Sequence, residues 1–200
     1  MNKLYQRAVV TLKHGTRVLL RPVTPDDKVR IANGLEQMSV ESRYFRFYTT
    51  ASKLSRDQLE YFTEVDDINH VAWIAVNHGA PGQQGLGIAR FIRYRNNPVV
   101  AEMAFTVIDD WQHLGLGTYL VGVLYLMAQA RGVEVLRAIV LPENKTVTAF
   151  IRELGGKSEF IYGCDQTDLP VARDISLVCD SPRDRRFCRV LADLQTKFQK

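Results

Sequence analysis

Apolar positions fall first in a short run, "RVLLRPVT" (Arg17 to Thr24), which predicts a strand. They then spread over "TPDDKVRIANGLEQM", which predicts a helix, with Thr24 as N-cap, Pro25 at its first position and Asp26 and Asp27 in the positive end of its dipole. "SRDQLEYFTEV" is a second helix, announced by a capping box of Ser55 and Gln58. "HVAWIAVN" and "LGIARFIRY" predict an antiparallel pair across a glycine-bearing connector, and "VVAEMAFTVI" a further strand. A glycine turn follows, then a helix from about Gly117 to Arg131, the strand "VEVLRAIVL", and a short helix in "NKTVTAFIRELGG" stopped by Gly155 and Gly156. More strand is expected near "EFIYG" and "ARDISLVC". The order implies a mixed α/β domain with one strand-helix-strand crossover. At the end, Phe187, Val190, Leu191, Leu194 and Phe198 recur at helical spacing, an amphipathic helix appended to the domain. Its stripe can cover its own domain, a second copy in a homodimer, or a membrane surface.

Composition narrows the function classes. With 200 residues and 46% apolar positions the chain can build a sizeable core. A net charge of +4, from 26 basic and 22 acidic residues, is too mild to point to nucleic acid. Cys164, Cys179 and Cys188 form no C-x-x-C pair, and His14, His70 and His78 form no ligand cluster, so reduced thiols and no metal are expected. The N-terminal residues show no signal-peptide pattern and no apolar run is long enough to span a membrane, so a soluble, cytoplasmic protein is expected.

The candidate chemistry starts at the glycine turn. In "FTVIDDWQHLGLGTYLVGV" an apolar strand ends at Asp109 and Asp110, passes Gly115 and Gly117, and becomes a helix. A helix N-terminus presents unpaired amides and partial positive charge, and glycines let a phosphate approach the backbone and tolerate positive φ, so the turn is read as a phosphate or pyrophosphate site. No Lys follows for a Walker P-loop. The G-x-G continues through Thr118 and Tyr119 to Leu120, which lacks the third glycine of a dinucleotide fingerprint. Gly85 and Gly87 lead into a strand and read as turn and strand entry.

The whole run Gln112-His113-Leu114-Gly115-Leu116-Gly117 resembles the acetyl-CoA motif Q/R-x-x-G-x-G/A of the GNAT N-acetyltransferases, a likeness that extends from about Arg17 to Phe160. "ESRYFRFYTTASKLSRDQLEYFTEVDDINHVAWIAV" and "AEMAFTV" are similar, more narrowly, to the acetyltransferase domain of bacterial protein lysine acetyltransferases. The resemblance implies a mostly antiparallel central sheet flanked by helices, with splayed central strands. With the amphipathic helix set apart, the chain is expected to divide into an acetyltransferase domain over 1–180 and a helical extension over 181–200. The amides of Leu114 to Thr118 would cradle the CoA pyrophosphate in a turn running from Gln112 to Thr118. Phe105, Thr106 and Val107 would pair with the pantetheine arm. Asn144 matches a cofactor-side asparagine, and equally reads as a cap for the helix that follows.

Glu102 carries the chemical expectation. Read from the residues alone, a glutamate in a strand belongs to a solvated sheet surface. The resemblance makes it the general base, which the reaction needs because an ammonium cannot attack a thioester. One feature departs from the family: the position of the usual tyrosine acid is Ile151, which has no proton to give. Tyr44, Phe45, Phe47 and Tyr48 read as core or as an acceptor-site wall, and the His113 side chain as solvent-facing. The expected activity is acetyl transfer from acetyl-CoA to a primary amine, a protein lysine by the narrower likeness, with a small-molecule amine or a non-catalytic acyl-CoA sensor as alternatives.

Overall fold

The run His70–Asn77 is buried at every position but its two ends, so this strand needs cover on both faces. That requirement organises the molecule. The computed structural model describes residues 6–79, 82–178 and 185–198. In chain order it has β1 (Ala8–Thr11), β2 (Arg17–Pro22), α1 (Lys28–Glu36), α2 (Val40–Phe47), α3 (Arg56–Thr63), β3 (His70–Asn77), β4 (Gly85–Tyr94) and β5 (Asn97–Val107). There follow α4 (Leu116–Ala130), β6 (Val135–Val140), α5 (Lys145–Glu153), β7 (Lys157–Ile161), β8 (Cys164–Pro170) and α6 (Arg185–Phe198). The strands form one eight-stranded sheet in the order β1-β2-β3-β4-β5-β6-β8-β7. Each adjacent pair is antiparallel except β5 and β6, which α4 joins as the expected parallel crossover.

On one face Val71, Trp73 and Ala75 of β3 join the main core with α4 and α6. On the other, Ala72, Ile74 and Val76 pack with Ile31 of α1 and Val23. Helix α4 is buried almost all round because the sheet lies on one side and α6 on the other. Gly122 permits that approach: a Cβ there would stand 3.1 Å from both Leu194 and Val190. In α6, Phe187, Leu191 and Leu194 are fully buried, each contributing about 1.5–3 kcal/mol relative to exposure. Phe187 meets Tyr125 edge-on and Phe198 meets Trp73, both at 5.4 Å between centroids. The Tyr119 hydroxyl donates to Asp193 (3.0 Å), and burial followed by the Asp193 charge pushes the phenol up to about 12. The stripe read from the sequence therefore covers α4 and the core of its own chain.

Helix α1 is anchored differently. Asp27 is completely buried and accepts two hydrogen bonds of 2.7 Å from the Arg21 guanidinium on β2, while the Thr24 amide donates to it at 2.9 Å. Burial opposes the Asp27 charge, but the hydrogen bonds from Arg21 and Thr24 outweigh it and hold the carboxyl below its ordinary range. A short 3₁₀ turn, Pro25–Asp27, precedes the helix proper. The Ser55–Gln58 capping box forms as expected.

Several sequence expectations need correction. The chain has a third helix before β3, α2, whose Arg- and Tyr-interrupted pattern concealed its period. The edge strand β1 was missed because it is only Ala8–Thr11. The last strand is not "ARDISLVC": Ile175–Val178 forms a 3₁₀ turn. The strand is instead the polar segment Cys164–Pro170, in which only Thr167 and Leu169 are buried, so its hydrophobic pattern is weak. Cys188 is disulfide-bonded, against the expectation of reduced thiols, because pairing depends on proximity in space and not on local spacing. Cys164 is a free thiol and Cys179 lies outside the described residues. Among the described residues no helix is long and apolar enough to cross a membrane.

Candidate active site

The parallel strands β5 and β6 pair at three rungs only, Val100 with Val135, Ala101 with Leu136 and Glu102 with Arg137. β5 then runs on to Val107 and β6 to Val140 without further pairing between them. The fork frees the β5 edge from Met103 onward and opens into a cleft of about 780 Å³. The Phe105, Thr106 and Val107 positions line it, as does Glu102 at its inner end. Phe150 of α5 closes against Phe105 edge-on at 5.6 Å.

The glycine turn borders the same cleft. His113 and Gly115 both adopt left-handed backbone, with φ of 58° and 95°, an arrangement that turns neighbouring amides toward one side. The first helical bond runs from the Tyr119 amide to the Gly115 carbonyl (3.3 Å). Among the described residues the amides of Leu114, Gly115, Leu116, Gly117 and Thr118 have no backbone acceptor outside the helix itself. Gly117 is helical and needs no positive φ; its value is space, since a Cβ there would project between Phe150 (3.9 Å) and Phe105 (4.0 Å) at the cleft. The side chains of Leu114 and Leu116 point into the core, so only their backbones belong to the turn. Thr118 is buried but borders the cleft, and the exposed His113 stands at its rim.

Gln112 acts as a brace. Its side-chain amide donates to the Val107 carbonyl (3.2 Å) and to Ser42 Oγ of α2 (3.5 Å). Asp109 accepts from the Ser39 amide and the Ser42 hydroxyl, both at 3.0 Å, and these bonds hold its carboxyl low against the opposing effect of burial. Helix α2 is thereby fixed across the mouth. Asn144 does two things at once: its side chain accepts from the Val147 amide (3.3 Å) as the α5 N-cap, and it borders the cleft.

Glu102 is exposed to the cleft and makes no ion pair among the described residues. Its Oε2 accepts a hydrogen bond from the Tyr94 hydroxyl (3.2 Å). Burial, then the Glu102 charge, push the Tyr94 phenol up. The guanidinium across the rung, Arg137, is committed elsewhere, to Asp168 of β8 at 2.7 and 2.8 Å. On the same sheet face lies Arg90 of β4, whose register partner is Ala104. Arg46 reaches the cleft from α2; burial first and Arg90 second pull its guanidinium down to about 10, while Glu102 acts in the opposite sense. Tyr48 completes the mouth, its phenol raised by burial, then by Cys164 and Glu102. Ile151 is fully buried, so no acid stands at that place.

Two cations at the turn escaped sequence reasoning. Lys13 borders the cleft and donates through Nζ to the His113 carbonyl (3.2 Å). Arg186, in the first turn of α6, borders it too, with Nη2 3.6 Å from where a Cβ on Gly115 would sit. A helix from the far end of the chain thus delivers a guanidinium to the turn, and nothing local in "PRDRRF" distinguishes it from a solvated helix face. Arg46 and Tyr94 were missed for the same reason: only the docking of α2 and the β4–β5 register bring them to the Glu102 side of the cleft.

Comparison with known proteins adds the family context. Residues 17–157 match the model of the acetyltransferase (GNAT) domain. Acetyltransferase Pat of Mycolicibacterium smegmatis is 39% identical over 146 residues, 73% of this chain, and the chain spans only 43% of that relative's length. The GNAT domain of S. lividans PAT superposes with a TM-score of 0.75 at 28% identity, covering 82% of this chain and 96% of that one. A cAMP-binding acyltransferase from Mycobacterium smegmatis gives a TM-score of 0.60 at 28% identity over 98% of this chain and 57% of its own.

Proposed function

Because the chain belongs to the GNAT acetyltransferase family, which uses acetyl-CoA as cosubstrate, we propose that it moves the acetyl group of acetyl-CoA onto a primary amine, a protein lysine, with Glu102 as general base. The observation that carries this reading is the position of Glu102 at the last rung before the strands part. A thioester entering along the freed β5 edge meets its carboxylate there. The amides of Leu114 to Thr118 hold the pyrophosphate, and Lys13 and Arg186 add positive charge beside it. The backbone of Phe105, Thr106 and Val107 offers hydrogen bonds to the pantetheine arm, and Gln112 keeps the turn braced against Val107.

A lysine ammonium has a pKa of about 10.4 and must lose a proton before it can attack. Glu102 accepts that proton, directly or through water, while Tyr94 orients the carboxylate. The amine nitrogen bonds to the thioester carbon, the C–S bond breaks, and the coenzyme departs as thiolate. A thiol pKa of about 8.5 makes this leaving group tolerable without an acid at the Ile151 position. The exposed Tyr48, which lines the cleft, favours a protein surface over a small amine as acceptor.

The buried Ile151 is the observation that favours a second reading, an acyl-CoA sensor without turnover. Thiol release separates them. With acetyl-CoA and lysine-bearing protein or peptide, an acetyltransferase liberates CoA thiol and adds an acetyl mass to the lysine. Binding of acetyl-CoA with neither change would overturn the catalytic reading.

A further inference from the structure

Two arginines crowd the Glu102 side of the sheet without an anion in contact. Arg46 is half-buried in the cleft wall, its Nε is buried, and among the described residues its guanidinium has no hydrogen bond or ion pair. Its nearest support is the Phe47 ring, 4.9 Å from the guanidinium carbon. Arg90 lies over Tyr61 (4.7 Å) and Phe62 (4.5 Å), and its buried Nη1 is also unpartnered. Arg90 disfavours the Arg46 charge, and Glu102 favours the charge on both groups.

This arrangement is costly unless something completes it. Buried guanidinium groups are ordinarily paired, and a planar fork of donors matches a carboxylate. The Tyr61 and Phe62 faces and a hydrogen-bonding contribution from Tyr61 compensate Arg90 in part, but its Nη1 stays unpartnered, and Arg46 has only the Phe47 face. Glu41, Asp109 and Glu153 also line the cleft, but among the described residues none forms an ion pair with Arg46 or Arg90, so two guanidiniums stand on the Glu102 side without a paired anion where a lysine ammonium must arrive. An acceptor with a bare lysine is repelled there, whereas an acceptor that brings its own carboxylate beside the amine neutralises that charge and fills the vacant donors.

Resting on the acetyltransferase reading, we infer that Arg46, backed by Arg90, anchors a carboxylate adjacent to the reacting amine, so that the preferred acceptor is a lysine with an acidic neighbour. Arg46 is the contact residue because it borders the cleft, and Arg90 is a positioning residue held by Tyr61 and Phe62.

The test measures kcat/KM on paired lysine peptides that differ only in Asp or Asn beside the lysine, with acetyl-CoA as donor. The wild type should favour the Asp peptide by about tenfold or more, mainly through KM, as expected for a charge-assisted bond. Arg46→Gln should bring the ratio close to one, and Arg46→Glu should reverse it toward a Lys-flanked peptide. Acetyl-CoA titration verifies that each variant is folded. Equal use of both peptides by the wild type, or a ratio that survives Arg46→Gln, overturns the anchor and leaves the acetyltransferase reading standing. Acetylation of neither peptide overturns the protein-lysine reading and the anchor with it. A preference for succinyl-CoA over acetyl-CoA without any peptide preference assigns the cation to the acyl group instead, and so also overturns the inference.

Discussion

Glu102 and Arg137 stand opposite each other on the last rung shared by the two parallel strands, on one face of the sheet, yet do not form an ion pair. Asp168 takes the guanidinium through a two-bond contact of 2.7 and 2.8 Å. The Glu102 carboxylate is left with a neutral phenol, and not a guanidinium, as its hydrogen-bond partner. Replacing Asp168 by Asn frees Arg137 to turn toward Glu102. The acid limb of the pH–rate profile should then move to lower pH and the plateau should fall, because a guanidinium-paired carboxylate is the weaker base. An unchanged profile would show that Asp168 has no part in keeping the base free.

The turn makes a divided prediction. Gly115 needs its φ of 95°, so Gly115→Val should cost stability as well as acetyl-CoA binding. Gly117 is helical, and Gly117→Val should leave the melting temperature nearly unchanged while its side chain intrudes between Phe105 and Phe150. Acetyl-CoA affinity should fall by about tenfold or more, roughly 1.4 kcal/mol, measured by calorimetry. Full affinity in Gly117→Val removes the turn from the cofactor site.

Arg186 gives the C-terminal helix a second role besides packing. Arg186→Ala should weaken acetyl-CoA several-fold, with a shallower salt dependence than the wild type, while its exposed position spares the fold. Leu191→Ala should do the reverse, losing about 2–5 kcal/mol of stability from a fully buried site with little change in affinity for the cosubstrate. Equal affinities in wild type and Arg186→Ala would place the guanidinium outside the phosphate site.

Asp27 links stability to pH. Its folded pKa lies below the unfolded value of about 3.9, so its contribution is fully present above that value and is lost as pH falls through the folded pKa. Asp27→Asn leaves the Arg21 guanidinium without its counterion and should cost about 3–5 kcal/mol at pH 7. Urea unfolding should show the gap between variant and wild type closing below about pH 3.9. A gap that persists undiminished in acid would mean that shape and not charge holds the pair.

The sequence carried the parts of this molecule that depend on local pattern. The crossover, the Ser55–Gln58 capping box and the Gln112–Thr118 turn are all written in contiguous residues, and so was the placement of Glu102 on a strand. What escaped is set by register and long-range packing. Tyr94 bonds to Glu102, and Arg46 and Arg90 come to the same side of the sheet, only because β4 pairs with β5 and α2 is pinned by Asp109. Arg186 reaches Gly115 only because Phe187, Leu191 and Leu194 fix α6 along α4. The polar strand β8 gave little periodic signal, since its role is to pair and to hold Arg137.

The most direct measurement is the pH–rate profile of Glu102→Gln on an acceptor that the wild type acetylates. The substitution keeps the side chain's size but removes its ability to take a proton as carboxylate. Turnover near neutral pH should fall by about 10²–10⁴-fold, with acetyl-CoA affinity within a few-fold of wild type. Part of the loss should be recovered as pH rises and free amine replaces the missing base. Near-normal turnover in Glu102→Gln at neutral pH, with the same acceptor and the same profile as wild type, would contradict the account.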